Sequence, residues 1–128
     1  MVIVMNKIFI ILTMIFCHII DDYGLQGILA SMKQKSWWQK QEQYTDKYKY
    51  DYIVALIMHS FSWAFMIMLP IIVISGFKIG VPFVIAFIVN TVVHGVVDDL
   101  KANKMKINLV QDQAIHVAQI IITAIILL

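Results

Sequence analysis

The stretch VPFVIAFIVNTVVHGVVDD, residues 81–99, sets the reading of the whole chain. Its first half is aliphatic and aromatic, as a lipid-facing helix would be. Its second half places Asn90, His94 and Asp98 at intervals of four residues. Residues four apart share one helix face, so a nearly apolar span carries one polar stripe. Ionisable groups in such a span are costly to bury and normally face a bundle interior.

Three more blocks of the same character lie around it, at 2–29, 52–75 and 107–128. The 128-residue chain is 61% hydrophobic and only 14% charged, more apolar surface than a soluble domain of this length can hide. Blocks of ~20 apolar residues reach across a bilayer core, and helices satisfy their own backbone there. The expectation is an all-α, integral membrane four-helix bundle forming one domain over 1–128, with spans at about 2–29, 52–75, 81–99 and 107–128. The first span is expected to run as one helix to about Ala30. It exceeds the usual length of a signal peptide's apolar core, and no small-residue cleavage pattern follows, so cleavage is not expected. Cys17 is the single cysteine, which excludes an internal disulfide.

All ten basic residues are lysines. Lys33, Lys35, Lys40, Lys47 and Lys49 follow the first span, and Lys101, Lys104 and Lys106 separate the third from the fourth. Only Lys7 and Lys78 lie on the other side. The positive-inside rule places loops 30–51 and 100–107 in the cytoplasm and both termini outside. It also accounts for the lysines without nucleic acid. Trp37, Trp38, Tyr44, Tyr48, Tyr50 and Tyr52 read as a headgroup-level belt on a short amphipathic segment between the first two spans, in contact with membrane lipids.

Each remaining span carries its own polar residues. His18 pairs with Asp22, His94 with Asp98, and Asp112 with His116, each at a four-residue spacing; His59 stands alone. The lysine-derived topology brings all seven to one depth in the cytoplasmic half; His59, for example, lies about 10 Å along its helix from Tyr52 at 1.5 Å per residue. Imidazoles and carboxylates gathered at one level are the vocabulary of a metal site. The expected ligands are His18, Asp22, His59, His94, Asp98, Asp112 and His116, holding one or two divalent ions. Zinc leads, with manganese and iron as the other candidates. Asp22, Asp98 and Asp112 are the candidate catalytic carboxylates, as ligands or general base. Gln26, Lys101 and Gln113 are the candidate substrate contacts. Asp21 and Asp99 each neighbour a pair member but would point about 100° away on an α-helix, so their role stays open.

Three stretches taken together, HIIDDYGLQ at 18–26, KYDYIVALIMH ending at His59, and NTVVHGVVDDLK with LVQDQAIHVAQ between Asn90 and Gln119, resemble a small bacterial and phage membrane family filed as domain of unknown function 3307. Its pattern resembles H-x-x-x-D-[FY]-x-L-Q, a single His opening the second span, then H-x-x-x-D-x-x-K and D-Q-x-x-H. The resemblance implies that His18, Asp22, Gln26, His59, His94, Asp98, Lys101, Asp112, Gln113 and His116 are signature positions. It also implies a bacterial inner membrane, or a host membrane for a phage protein. It brings no activity with it.

The favoured expectation is metal-dependent hydrolysis of a phosphate-containing or lipid-like small molecule at the cytoplasmic side. The main rival is a channel or transporter for divalent cations or protons. It needs a polar route to the outer face, yet Ile8–Ile15, Ala64–Ile74 and Ile120–Leu128 are almost wholly apolar; a homodimer would supply a path between subunits. Bis-histidine haem ligation would leave the carboxylates unpaired in lipid. A holin-like or scaffold protein, a non-catalytic interaction partner, has no need of three ionisable pairs.

Overall fold

The computed structural model describes residues 2–128, with side chains from residue 6 onward. Six α-helices follow in order: α1 (Val2–Ile20), α2 (Leu29–Met32), α3 (Lys35–Gln39), α4 (Asp51–Ile74), α5 (Val81–Ala102) and α6 (Leu109–Leu127), with no strand among the described residues. Four of these helices are long and apolar enough to cross a membrane. They form a closed ring in which α4 packs on α1 and α5, and α6 packs on α5 and α1.

The packing is inverted relative to a soluble bundle. Phe9, Phe16, Ile57, Phe61, Ile85, Ile88, Ile122 and Ile125 are exposed on the outside. His18, Asp21, Asp22, His59, His94, Asp98, Asp112 and His116 are buried inside. Farther along the bundle, Met14, Trp63, Ala64, Ile67, Met68, Ile71, Ile120 and Ala124 form a continuous apolar core. One end of the interior is therefore polar and the other dry.

The first apolar block departs from the single helix expected to reach about Ala30. The α-helix stops at Ile20, and Asp21–Leu25 forms one π-helical turn. Gly27 then takes φ +50°, a left-handed conformation that glycine adopts without steric cost. The chain turns there into α2, α3 and a single 3-10 turn at Asp46–Tyr48. In this amphipathic segment Trp37 and Trp38 meet edge to face, their ring centroids 5.0 Å apart. The Trp38 indole N–H donates to the Met32 carbonyl at 2.7 Å.

The other junctions follow their sequence signals. Pro82 lies in the first turn of α5, where its missing N–H costs nothing. Asn108 and Gln111 form a reciprocal capping box at the start of α6. Between α4 and α5, a methyl group added at Gly95 would lie 2.9 Å from Ser60 Oγ, so glycine is what permits the close approach of these helices. That approach brings His59 and His94, each one residue earlier, into direct contact.

Candidate metal centre

The π-turn explains why two consecutive acids both enter the bundle. A π-helical turn holds an extra residue relative to an α-turn, so the angular step between neighbours shrinks. Asp21 is 1% exposed and Asp22 8% exposed, so both face inward. The α-helical expectation that Asp21 points away fails here because the helix is not α at that residue. Asp99 keeps the α-helical register. It is half-buried at the helix end, where it accepts from Asn103 Nδ2 at 2.8 Å and faces Lys104 Nζ at 3.3 Å.

Six of the seven expected ligands present donor atoms to one another. His59 Nε2 and His94 Nε2 lie 3.1 Å apart. Asp98 Oδ2 is 3.4 Å from the first and 3.8 Å from the second. Asp22 Oδ1 is 3.3 Å and 3.8 Å from the same two nitrogens. Donor atoms 2.0–2.1 Å from a shared tetrahedral zinc are separated by about 3.3 Å, so these spacings match those of a coordination shell. On the other side of Asp98, His116 Nε2 is 3.6 Å from Asp98 Oδ1 and 3.3 Å from Asp112 Oδ1. Two groups, Asp22–His59–His94 and His94–Asp98–His116, each bring three ligand atoms within 4.8 Å of one another.

The seventh residue, His18, is in the cluster but its ring is occupied. Its Nδ1 accepts from the Trp63 indole N–H at 2.8 Å, which leaves Nε2 to donate to Gln113 Oε1 at 3.0 Å. Trp63 also stacks on His94 at a centroid distance of 4.2 Å. His18 therefore acts here as a hydrogen-bonding wall.

Every carboxylate of the cluster has one oxygen held by a fixed donor. Asp21 Oδ1 accepts from Ser62 Oγ at 2.6 Å, and Asp98 Oδ2 from Lys33 Nζ at 2.6 Å. Asp112 Oδ2 accepts from Lys101 Nζ at 2.5 Å and Gln113 Nε2 at 2.9 Å. Asp22 Oδ2 has Gln113 Nε2 at 3.4 Å. The other oxygens of Asp21, Asp22 and Asp112 are buried without a hydrogen-bond partner, as is His116 Nε2. Buried polar atoms are normally satisfied, so a set of bare acceptors aimed at one interior marks a place for a cation.

Charge points the same way. Among the described residues, Asp21, Asp22, Asp98 and Asp112 face two buried or half-buried ammonium groups, Lys33 and Lys101. With carboxylates ionised and imidazoles neutral, two negative charges are left over, the complement of one divalent ion. Uncompensated charge in a bundle interior is expensive, and a bound cation removes the imbalance.

The surrounding shell fits that role. His59 Nδ1 faces Asp21 Oδ2 at 3.6 Å, on the ring edge opposite its Nε2. Metal-bound histidines commonly present their second nitrogen to a carboxylate in this way. His116 Nδ1 donates to Gln119 Oε1 at 3.1 Å, and Gln119 Nε2 in turn donates to Asn90 Oδ1 at 3.2 Å. Asn90 closes the chain with a 2.7 Å hydrogen bond to Thr123 Oγ1.

Gln26, Lys101 and Gln113, the expected substrate contacts, are half-buried at the rim of the cluster. All three are engaged within the protein: Gln26 Nε2 donates to the Asp22 carbonyl, and Lys101 and Gln113 hold Asp112. Lys33 is the member that sequence reasoning missed. It counted as a topology lysine, yet it is 6% exposed and reaches across to Asp98. Asn103 fixes that excursion: its side chain donates to the Lys33 carbonyl at 3.0 Å and accepts from the Lys35 amide at 2.7 Å. Ser62, one turn past His59 on α4, is a second such residue, holding Asp21.

Comparison with known proteins finds no matching family model, no matching curated protein and no matching solved structure.

Proposed function

We propose that this chain is a membrane metal-dependent hydrolase whose centre lies in the cytoplasmic half of the bilayer. The observation that carries the reading is the His59–His94 contact. Two imidazole Nε2 atoms face each other at 3.1 Å between carboxylate oxygens of Asp22 and Asp98, in a layer where four carboxylates face two ammonium groups. His59, His94 and Asp98 would hold a divalent ion, zinc first, with manganese or iron as alternatives. A bound ion of this type supplies Lewis acidity and a water acidified to a pKa of about 7.

The residues around it have separable tasks. Asp21 orients the His59 ring. Asp22 is the most exposed member of the inner set, at 8%, and its bare Oδ1 is the base for the attacking water. Lys101, Gln113 and Gln26 form the half-buried rim, where an ammonium beside amide groups suits an anionic phosphate. A groove of about 440 Å³ between α4 and α5, lined by Leu56, Ile57, Val92 and Val96 and ending at Asp99 and Lys104, suits an acyl chain. These features support a phosphate-containing, lipid-like substrate.

The lysine distribution supports loops 30–51 and 100–107 in the cytoplasm, with both termini outside. The motif pattern supports membership of the family filed as domain of unknown function 3307. Against transport stands the apolar core of Met14, Trp63, Ile67, Met68 and Ile120, which is packed between the cluster and the opposite face.

The test is hydrolysis of bis(p-nitrophenyl) phosphate and of phosphatidate in mixed micelles by detergent-purified protein loaded with Zn²⁺ or Mn²⁺. Metal-dependent turnover that falls by at least 100-fold in His59→Ala and Asp22→Asn is expected. Metal uptake without hydrolysis of either substrate, together with cation flux in proteoliposomes, would replace the hydrolase with the transport reading.

A further inference from the structure

We propose a second cation position beside the first, built from His116, Asp112 and the far oxygen of Asp98, so that Asp98 bridges two ions. The inference rests on the metal-centre reading above and deepens it.

His116 carries the argument. Its Nδ1 faces Gln119 Oε1 at 3.1 Å. The orientation of that amide follows from its other end, where Nε2 lies 3.3 Å from the Asn90 carbonyl and 3.2 Å from Asn90 Oδ1, two acceptors. The oxygen of Gln119 must therefore face His116, and His116 Nδ1 must carry a proton. In the neutral ring Nε2 is then a bare lone pair. That lone pair is buried, has no hydrogen-bond donor, and faces Asp112 Oδ1 at 3.3 Å and Asp98 Oδ1 at 3.6 Å. Asp112 Oδ1 is likewise buried without a donor. Three electron-rich atoms converging on one point repel one another unless a positive charge lies between them.

Asp98 joins this point to the first. Its Oδ2 faces His59 and His94, and its Oδ1 faces His116. The Lys33 ammonium uses Oδ2 as well, but a carboxylate oxygen has two lone pairs and accommodates both. Each position then has three protein ligands: His59, His94 and Asp98 in one, His116, Asp112 and Asp98 in the other. Three protein ligands leave the fourth tetrahedral position unfilled by the protein, the ligand count of catalytic rather than structural ions. Paired ions of this kind clamp the attacking and leaving oxygens of a phosphoryl group. Two divalent ions also turn the leftover charge of the layer from minus two to plus two, which a phosphate anion offsets. The competing occupant is a proton on His116 Nε2, which satisfies the same three atoms with one ion bound.

Metal content decides between them. Detergent-purified protein is stripped with chelator and dialysed against excess Zn²⁺, and bound zinc is measured per chain. The same protein is loaded with Mn²⁺ for electron paramagnetic resonance. Two equivalents of zinc and a spin-coupled manganese pair are expected, with Asp112→Asn and His116→Ala retaining one equivalent and an uncoupled signal. One equivalent in the wild type, unchanged in both variants, overturns the second position and leaves the first standing. Two equivalents with uncoupled manganese overturns the Asp98 bridge. No bound metal overturns both readings. Because the wild-type stoichiometry and coupling are read directly, a variant that fails to fold does not blunt the test.

Discussion

Asp21 and His59 meet at 3.6 Å, carboxylate Oδ2 to ring Nδ1, while the opposite edge of the same ring faces His94 and Asp22. The acid thus stands behind the imidazole. Ser62 keeps it there by donating to its other oxygen.

Asp21→Asn is therefore expected to weaken metal binding by about 10- to 100-fold, the usual cost of losing a carboxylate behind a ligand histidine. Competition against a fluorescent zinc chelator measures it, with circular dichroism as the control for fold. Unchanged affinity would mean that Asp21 serves only to pack α1 against α4.

Lys33→Met removes the ammonium from Asp98 and leaves a buried carboxylate without its partner. Breaking a buried pair costs about 3–5 kcal/mol, so the metal-free protein should melt markedly lower. A divalent ion replaces the missing charge, so added Zn²⁺ should raise the melting temperature of Lys33→Met more than that of the wild type. An equal rise in both would separate Lys33 from the centre.

Gly95→Ala pushes a methyl group to 2.9 Å from Ser60 Oγ and spreads α4 from α5. A loss of about 1–3 kcal/mol is expected from such overpacking, together with weaker metal binding as His59 and His94 part. The Ser60→Ala, Gly95→Ala double variant should recover most of both, since Ser60 Cβ lies 3.7 Å from the added carbon. No recovery would place the strain elsewhere.

Trp63→Phe removes the donor to His18 Nδ1 and keeps an aromatic face toward His94. The orphaned nitrogen should cost about 1–3 kcal/mol, read as a lower thermal midpoint. Metal stoichiometry should stay at the wild-type value, because His18 belongs to neither group of converging ligand atoms and Gln113 still holds its Nε2.

The four spans and the convergence of the histidine–aspartate pairs were legible from the sequence because both depend on period. Apolar length marks a span, and a four-residue interval marks a shared face. Asp21 was not legible in the same way: a π-turn breaks the period, and nothing in DDYGL announces it. Lys33 was hidden by its position in a loop rich in lysine, where the positive-inside rule explained it too easily. Only the three-dimensional path, pinned by Asn103, distinguishes it from Lys35 or Lys40. His18 shows the opposite case. Its spacing to Asp22 matches that of the ligand pairs, but Trp63 and Gln113, distant in sequence, occupy its ring.

The Lys33–Asp98 pair also bears on how the protein is assembled. Its partners are 65 residues apart, one before α4 and one in α5. The loop that carries Lys33 precedes α5 in the chain, so it is made before the acid it pairs with. Taken alone, α5 carries His94, Asp98 and Asp99 on an otherwise largely apolar helix, a set that is costly to bury without partners. Lys33 reaches that charge only where its loop packs on α5, so the contact that neutralises Asp98 is also the one that seats the loop.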